Sequence, residues 1–222
     1  MELVSPIALL STYLTSPTSK NHQPPTLRHP STLLVALWVM HYFNRAIVSP
    51  LRTPSRSPSH ITIPLAAAVF NLLNAGLNGS WLSSGVVKPD GWNKPSFWAS
   101  IGLFVLGWVG NIVHDEVLLN IRKESKAGGQ DGKPKYGIPH GYLYHFISFP
   151  NYFCEWIEWT GFALAASIAS GWATPIYQSP PWLFVLNEVA TMLPRALSGH
   201  QWYHEKFEDY PKDRKAVIPL VL

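Results

Sequence analysis

Charge is scarce in this chain. Asp, Glu, Lys and Arg make up 14% of its 222 residues, whereas soluble domains carry nearer a quarter, so a globule wrapped in ionised side chains is disfavoured from the outset. Cysteine is nearly absent. With Cys154 alone, neither an internal disulfide nor a Cys-based zinc set can form. No GxGxxG occurs, which removes the Rossmann phosphate loop as a way of gripping a dinucleotide. No internal repeat is found. The formal net charge of +4 is not gathered on one basic helix, and the positive residues sit in short segments beside apolar runs. That pattern speaks for membrane lipids as partners and against nucleic acid. The opening MELVSPIALL has Glu2 where a secretory signal needs a basic region.

What remains is apolar and aromatic: 47% hydrophobic, 13% aromatic, ten Trp. Apolar stretches run over about 3–17, 31–49, 61–83, 96–121, 151–170 and 178–200, several near the roughly 20 residues a helix needs to cross a bilayer. An all-α fold is predicted, a multi-spanning membrane helical bundle with about six transmembrane helices and one domain over 1–222. Residues 201–222 would form its cytosolic C-terminal tail. If all six cross, Arg52, Arg56, Arg122, Lys123, Lys126, Lys133, Lys135, Lys206, Lys212, Arg214 and Lys215 share one face. Only Lys20, Arg28, Lys88 and Lys94 lie on the other, so the first face is the cytosolic one. The Pro/Ser-rich pieces 16–31 and 50–58 read as connecting loops.

Polar residues inside these stretches carry the functional signal, because a carboxylate at a membrane centre costs about 2.5–3.5 kcal/mol. In NIVHDEVLLNIRK, Asn111, Asp115 and Arg122 return to within about 40° of one another on a helix. In NYFCEWIEWTGFALA, Asn151, Glu155, Glu158 and Trp159 again share one face. Two helices thus present an Asn and a carboxylate four residues apart. Interhelical hydrogen bonding and a polar pocket near the cytosolic ends both account for this. Glu116 and Glu188 are placed at the interface. Asn78-Gly79-Ser80 fits a glycosylation acceptor, but it lies in an apolar run with Asn74 and Asn78 on one face and is read as a helix feature. The final segment HQWYHEKFEDYPKDRKAVIP has His200 and His204 four apart, and His140 and His145 form another loose pair. One such spacing falls short of the several histidine boxes a membrane di-iron site needs, so no metal is expected. The remainder of the segment could lie on the membrane as an amphipathic tail.

Taken together, HYFNR (41–45), PDGW (89–92), NIVHDEVLLNIRK, NYFCEWIEWTGFALA, Pro194-Arg195-Ala196 and the C-terminal segment resemble the steroid 5α-reductase family over essentially the whole chain. The ending alone is less specific, since enoyl-CoA and sterol reductases end similarly. The resemblance implies a seven-helix endoplasmic-reticulum membrane fold, NADPH as cofactor and a lipophilic steroid or enone substrate, reduced at the C4–C5 double bond of a 3-oxo-Δ4-steroid. It implies Glu2 and Tyr42 as catalytic residues. Cofactor positions fall on Asn111, Asp115, Arg122, Tyr136, Asn151, Glu155, Arg195 and Tyr203. The family has a further helix ahead of its Glu segment, which this chain, starting at Met1, is expected to lack. An inactive shortened membrane isoform and an enoyl-CoA or polyprenol reductase of the same superfamily are the alternatives. Gly137 stands where relatives often have Arg, with Lys135 as a substitute phosphate contact, and Gly199 stands where they often have His.

The chemistry suits these types. Arg122 and Arg195 would meet phosphates, and amide and carboxyl side chains would meet ribose hydroxyls and the nicotinamide. Reducing a conjugated ketone puts negative charge on the carbonyl oxygen, which a tyrosine phenol, protonated at neutral pH, stabilises by donating to it. Glu2 would orient the phenol or share its proton.

Overall fold

The computed structural model describes residues 1–20, 24–53, 60–127 and 136–222. Among them the chain is helical, with no strand and a single isolated bridge between Ile147 and Lys215. The helices are α1 (Val4–Thr15), α2 (Pro30–Phe43), the short α3 (Ser49–Arg52), α4 (Thr62–Ser83), α5 (Pro95–Ala127), α6 (Pro150–Ser170) and α7 (Pro180–Lys206). Each apolar stretch of the sequence is a helix. Proline marks the starts: α2, α5, α6 and α7 each open on Pro, the position where a missing N–H costs nothing and the fixed φ is already helical. α7 runs six residues beyond the apolar stretch, so 201–206 are helix. Two helical stretches, Pro30–Arg52 and Pro95–Ser125, are long and apolar enough to cross a bilayer by length and composition. Arg56, Lys133 and Lys135 lie outside the described residues, as does most of the 50–58 loop.

The chain divides into two compact units, one of Met1–Gly102 with Thr160–Phe184, the other of Leu103–Trp159 with Val185–Leu222. In the first, α1 and α4 pack closely: a Cβ on Gly79 would stand 2.5 Å from the Leu9 carbonyl oxygen, so only glycine permits the approach. α1 and α2 run antiparallel. Tyr13 near the end of α1 bonds Ser31 and Thr32 at the start of α2, at 3.1 and 2.7 Å, while Ser5 accepts from the Trp38 indole at 3.0 Å. The PDGW turn closes the end of α6: Lys88 N–H donates to Ala169 O at 2.9 Å and Lys94 Nζ to Ile168 O at 2.9 Å. Gly171, at φ +67°, ends that helix in the left-handed conformation.

α4 reverses the soluble pattern. Its buried side carries Asn71, Asn74 and Asn78, and its exposed side carries Ile63, Leu65, Val69, Leu72, Leu73 and Leu77. Asn78 is fully buried, in keeping with a helix feature.

In the second unit the C-terminal segment pairs with the residues that lead into α6. Lys215 N–H donates to Phe146 O at 2.9 Å, and Ser148 and Phe149 N–H donate to Lys215 and Ala216 O at 2.9 and 3.0 Å. Trp156, Met192, Ala196 and Val217 form the apolar core beneath. Gly199 makes room for the Phe149 ring, which a Cβ there would overlap. That packing is a physical reason for glycine at position 199.

Candidate active site

The asparagine–carboxyl pairs of α5 and α6 meet within the second unit, each amide reaching the other helix's acid. Asn111 Nδ2 donates to Glu155 Oε2 at 3.1 Å and to the Asn151 carbonyl oxygen at 3.1 Å. Asn151 Nδ2 donates to Asp115 Oδ1 at 2.9 Å. The exchange follows from antiparallel packing, which sets residue i of one helix opposite residue j+4 of the other. Gly107 and Gly110 allow it, since a Cβ at 107 would lie 2.6 Å from Cys154 O and one at 110 would lie 2.7 Å from Cys154 Sγ. Asn111, Asn151 and Glu155 are buried and Asp115 is half-buried. The Oδ1 of Asn151 is buried with no hydrogen-bond partner among the described residues.

Polarity then grades outward along α5 to Arg122, which is exposed. Its charge acts on the Tyr203 phenol, whose pKa is raised, mainly by burial and then by Tyr210, against the opposing pull of Arg122 and Arg214. Tyr203 stacks on Tyr210 with ring centroids 5.1 Å apart. Tyr136 is exposed and meets Trp202 edge to face at 5.2 Å. Arg195 is exposed on α7, directly after Pro194. All eight expected cofactor positions therefore fall in the second unit; the hydrogen bonds join Asn111, Asp115, Asn151 and Glu155 directly, and leave Tyr136 and Arg195 outside that network.

Glu2 and Tyr42 fall in the first unit. Ser5 and Trp38 are bonded, Glu2 lies one turn before Ser5, and Tyr42 lies one turn beyond Trp38. Antiparallel helices therefore bring Glu2 and Tyr42 to the same level. Tyr42 is buried, stacks on Trp38 at 5.7 Å and donates its hydroxyl to Asn71 Oδ1 at 3.4 Å. A five-residue π-helical turn, Asn44–Val48, follows at once; such turns widen a helix and recur at functional sites.

Several residues that the sequence did not single out surround the second-unit network. His114 is buried on α5; its Nδ1 lies 2.6 Å from Gly110 O and its Nε2 accepts from Leu143 N–H at 3.2 Å, which together require the neutral Nδ1–H tautomer. Tyr144 donates to the His114 carbonyl oxygen at 3.2 Å, and burial raises its pKa far above the ordinary phenol range. Ser148 Oγ bridges His200 Nδ1 and the Tyr210 hydroxyl, each at 2.6 Å. Arg214, counted from sequence among the charges of the cytosolic side, is 3% exposed. It donates to Pro139 O at 3.1 Å, with its guanidinium 5.1 Å from the Tyr210 ring centre. Its one sequence signal was membership of the C-terminal motif.

A profile of the 3-oxo-5-alpha-steroid 4-dehydrogenase family matches residues 57–222. The chain belongs to this steroid 5-alpha-reductase family. It is 37% identical to 3-oxo-5-alpha-steroid 4-dehydrogenase 1 of Rattus norvegicus over 194 residues, covering 87% of this chain and 68% of the rat protein. Steroid 5-alpha-reductase DET2 of Gossypium hirsutum is 37% identical over 200 residues, covering 86% of this chain and 70% of the cotton protein. An uncharacterised protein of Schizosaccharomyces pombe is 39% identical over 199 residues, 86% of this chain and 68% of its own length. Steroid 5-alpha-reductases are oxidoreductases.

Proposed function

We propose that this protein reduces the C4–C5 double bond of a 3-oxo-Δ4-steroid with NADPH, as a multi-pass protein of the endoplasmic-reticulum membrane with the cofactor entering from the cytosol. The observation that carries the reading is the paired Asn111/Glu155 and Asn151/Asp115 network with a buried acceptor, Asn151 Oδ1, left over. A carboxamide N–H or a ribose hydroxyl would satisfy that acceptor, and leaving it unmet costs about 1–3 kcal/mol. The residues fit a phosphorylated dinucleotide. Asn111, Asp115, Asn151 and Glu155 would hold its uncharged groups, the exposed Arg122 and Arg195 its phosphates, and Tyr136 and Tyr203 its ring faces.

When bound, the reduced nicotinamide would supply a hydride to C5 of the enone, and water would supply the proton that C4 takes up. Tyr42 donates to the C3 oxygen as negative charge develops on it, an interaction that strengthens toward the transition state. Its hydroxyl rests on Asn71 at 3.4 Å, a long bond readily exchanged for a better acceptor. Glu2, level with it, orients the phenol or holds a proton beside it.

Membrane placement is supported by Pro30–Arg52 and Pro95–Ser125, which are long and apolar enough to span. α4 supports it further, with asparagines inward and leucines outward, as expected where lipid is the solvent and polar side chains seek the protein interior. The uneven Lys and Arg distribution favours cytosolic chain ends, and the six long or apolar helices are all proposed to cross.

The test is reduction of a 3-oxo-Δ4-steroid, a long-chain trans-2-enoyl-CoA and a polyprenol by membranes containing the full chain, with NADPH or NADH. Turnover of the steroid with NADPH is expected. Turnover of the enoyl-CoA or the polyprenol alone would overturn the steroid assignment, and binding of no nicotinamide nucleotide would overturn the enzyme assignment.

A further inference from the structure

His114 lies among the members of the α5–α6 network and has been given no part in the chemistry. It is 4% exposed. On the helix it is set about 60° from Asn111 and about 100° from Asp115, and its ring turns instead to the loop ahead of α6. Nε2 accepts from Leu143 N–H at 3.2 Å, and the backbone carbonyl of the same histidine accepts from the Tyr144 hydroxyl at 3.2 Å. The bond from Nδ1–H to Gly110 O at 2.6 Å fixes the tautomer, so that Nε2 keeps its lone pair. Cys154 Sγ, 3.8 Å from Nδ1, closes the other side of the ring.

The loop needs holding. Gly141 stands at φ +93° and Tyr142 at φ +48°, and a left-handed backbone at a residue with a side chain costs free energy that surrounding contacts must offset. His114 supplies such contacts, with its ring edge to face against Tyr142 at 5.9 Å and Tyr144 at 5.5 Å. Upstream of the turn the chain runs back along α5. Gly137 lies against Ile121, two turns beyond His114, where a Cβ at 137 would stand 3.2 Å from Ile121 Cγ2. Residues 137–143 thus cover about 10.5 Å of α5, from the level of Ile121 to His114. Tyr136 stands one residue ahead of that start, and Arg122 one residue after Ile121. Arg214 holds the middle of the stretch through Pro139 O, and His114 anchors its end on α5.

We propose that His114 is a positioning residue for the dinucleotide: its Nε2 holds the Tyr142–His145 turn on α5 and so sets Tyr136 beside the Arg122 end of that helix, without touching the cofactor. This rests on the NADPH reading above and deepens it, by tracing part of the cofactor affinity to one acceptor atom outside the network.

The test titrates NADPH into purified full-length variants by tryptophan fluorescence and measures kcat at saturating NADPH and steroid, per folded protein. His114→Phe keeps a ring and removes the acceptor. It is expected to raise the Kd and KM for NADPH about tenfold, with kcat within about twofold of wild type. His114→Gln, whose amide oxygen can stand in for Nε2, should restore the wild-type Kd; His114→Asn, one methylene shorter, should not. A role in folding alone would lower the yield of folded protein and leave Kd unchanged. An unchanged Kd in folded His114→Phe, or equal weakening in the Phe and Gln variants, would overturn the inference and leave the NADPH reading intact. Wild-type protein that binds no NADPH would sink both. If His114→Phe does not fold, the amide pair decides: tighter binding by His114→Gln than by His114→Asn supports the inference, and equal Kd values overturn it.

Discussion

Gly107→Ala tests whether the α5–α6 polar network is a cofactor cradle, because it disturbs the network without touching any of its members. A methyl group at 107 would stand 2.6 Å from Cys154 O and 2.7 Å from Glu158 Cα. Backbone atoms cannot swing aside, and ordinary contact needs about 3.5 Å, so α5 and α6 must part by roughly 1 Å. Overpacking of this kind costs about 1–3 kcal/mol of stability. The same movement stretches Asn111–Glu155 from 3.1 Å and Asn151–Asp115 from 2.9 Å toward distances at which a hydrogen bond no longer counts. Two such bonds at about 1 kcal/mol each amount to about 2 kcal/mol of lost preorganisation, or about 30-fold in cofactor Kd. Gly102→Ala is the control: it lies on the same helix with nothing within 4 Å of the added carbon, and should stabilise the helix by up to about 1 kcal/mol. NADPH would be titrated into purified full-length variants by quenching of tryptophan fluorescence, with circular dichroism establishing that each is folded. A folded Gly107→Ala that binds NADPH as tightly as wild type refutes the reasoning. So does a Gly102→Ala that loses affinity equally.

Tyr42→Phe, which removes only the donor to the C3 oxygen, should lower kcat about 100-fold or more while leaving NADPH affinity unchanged; unaltered turnover would take Tyr42 out of the mechanism. Arg122→Ala should weaken NADPH binding about tenfold with little change in helicity, and an unchanged titration would return α5 to an interhelical role. Ser148→Ala, which unties His200 and Tyr210 from the residues leading into α6, should cost about 1–2 kcal/mol, read as a lower melting temperature in scanning calorimetry. The last concerns pH. Burial lowers the His29 pKa, and its neutral ring accepts from Ser31 N–H at 3.3 Å to cap α2. The unfolded chain takes up the proton first, so this contribution is whole above about pH 6.5 and is lost as pH falls through the lower folded value. Melting temperature should drop between pH 7 and 5 by more in wild type than in His29→Asn, which keeps an N-cap acceptor without titrating; identical pH profiles would exclude His29 as the cause.

The helices were legible because apolar runs and their proline starts are local signals. Their polar faces were legible too, since a spacing of four is a statement about one helix. What could not be read was which face meets which. Asn111 and Asn151 each announce a polar stripe, but the exchange of amides for the opposite helix's carboxyls depends on the packing direction and on Gly107 and Gly110, whose small size has meaning only against Cys154 and Glu158. The same limit hid Arg214. Its neighbours in sequence, Asp213 and Lys215, are charged and exposed, and nothing local says that Pro139, some seventy residues earlier, supplies a carbonyl oxygen to bury it. The end of α7 was not legible for a different reason: a stretch bounded by apolarity stops at residue 200, while the backbone stays helical to Lys206.

The catalytic pair shows how register turns a resemblance into geometry. Glu2 and Tyr42 were placed by likeness to the family, and neither has a spacing signal of its own. Three contacts supply one. Tyr13 with Ser31, Tyr13 with Thr32 and Ser5 with Trp38 fix α1 and α2 as antiparallel neighbours in a single register. Extending that register by one turn sets the carboxyl-bearing residue level with the phenol. The register is also vulnerable at one point. The Trp38 indole holds Ser5 and stacks on Tyr42, so Trp38→Phe would keep an aromatic ring against Tyr42 while removing the bond to α1, at the cost of some packing against Phe162 and Phe184. If Glu2 acts by its position beside the phenol, Trp38→Phe and Glu2→Gln should lower kcat by similar factors, and the double variant should fall little further than either alone, because both remove the same coupling. Multiplicative losses would show that Glu2 and Trp38 act separately, and the shared level of Glu2 and Tyr42 would then have no part in catalysis.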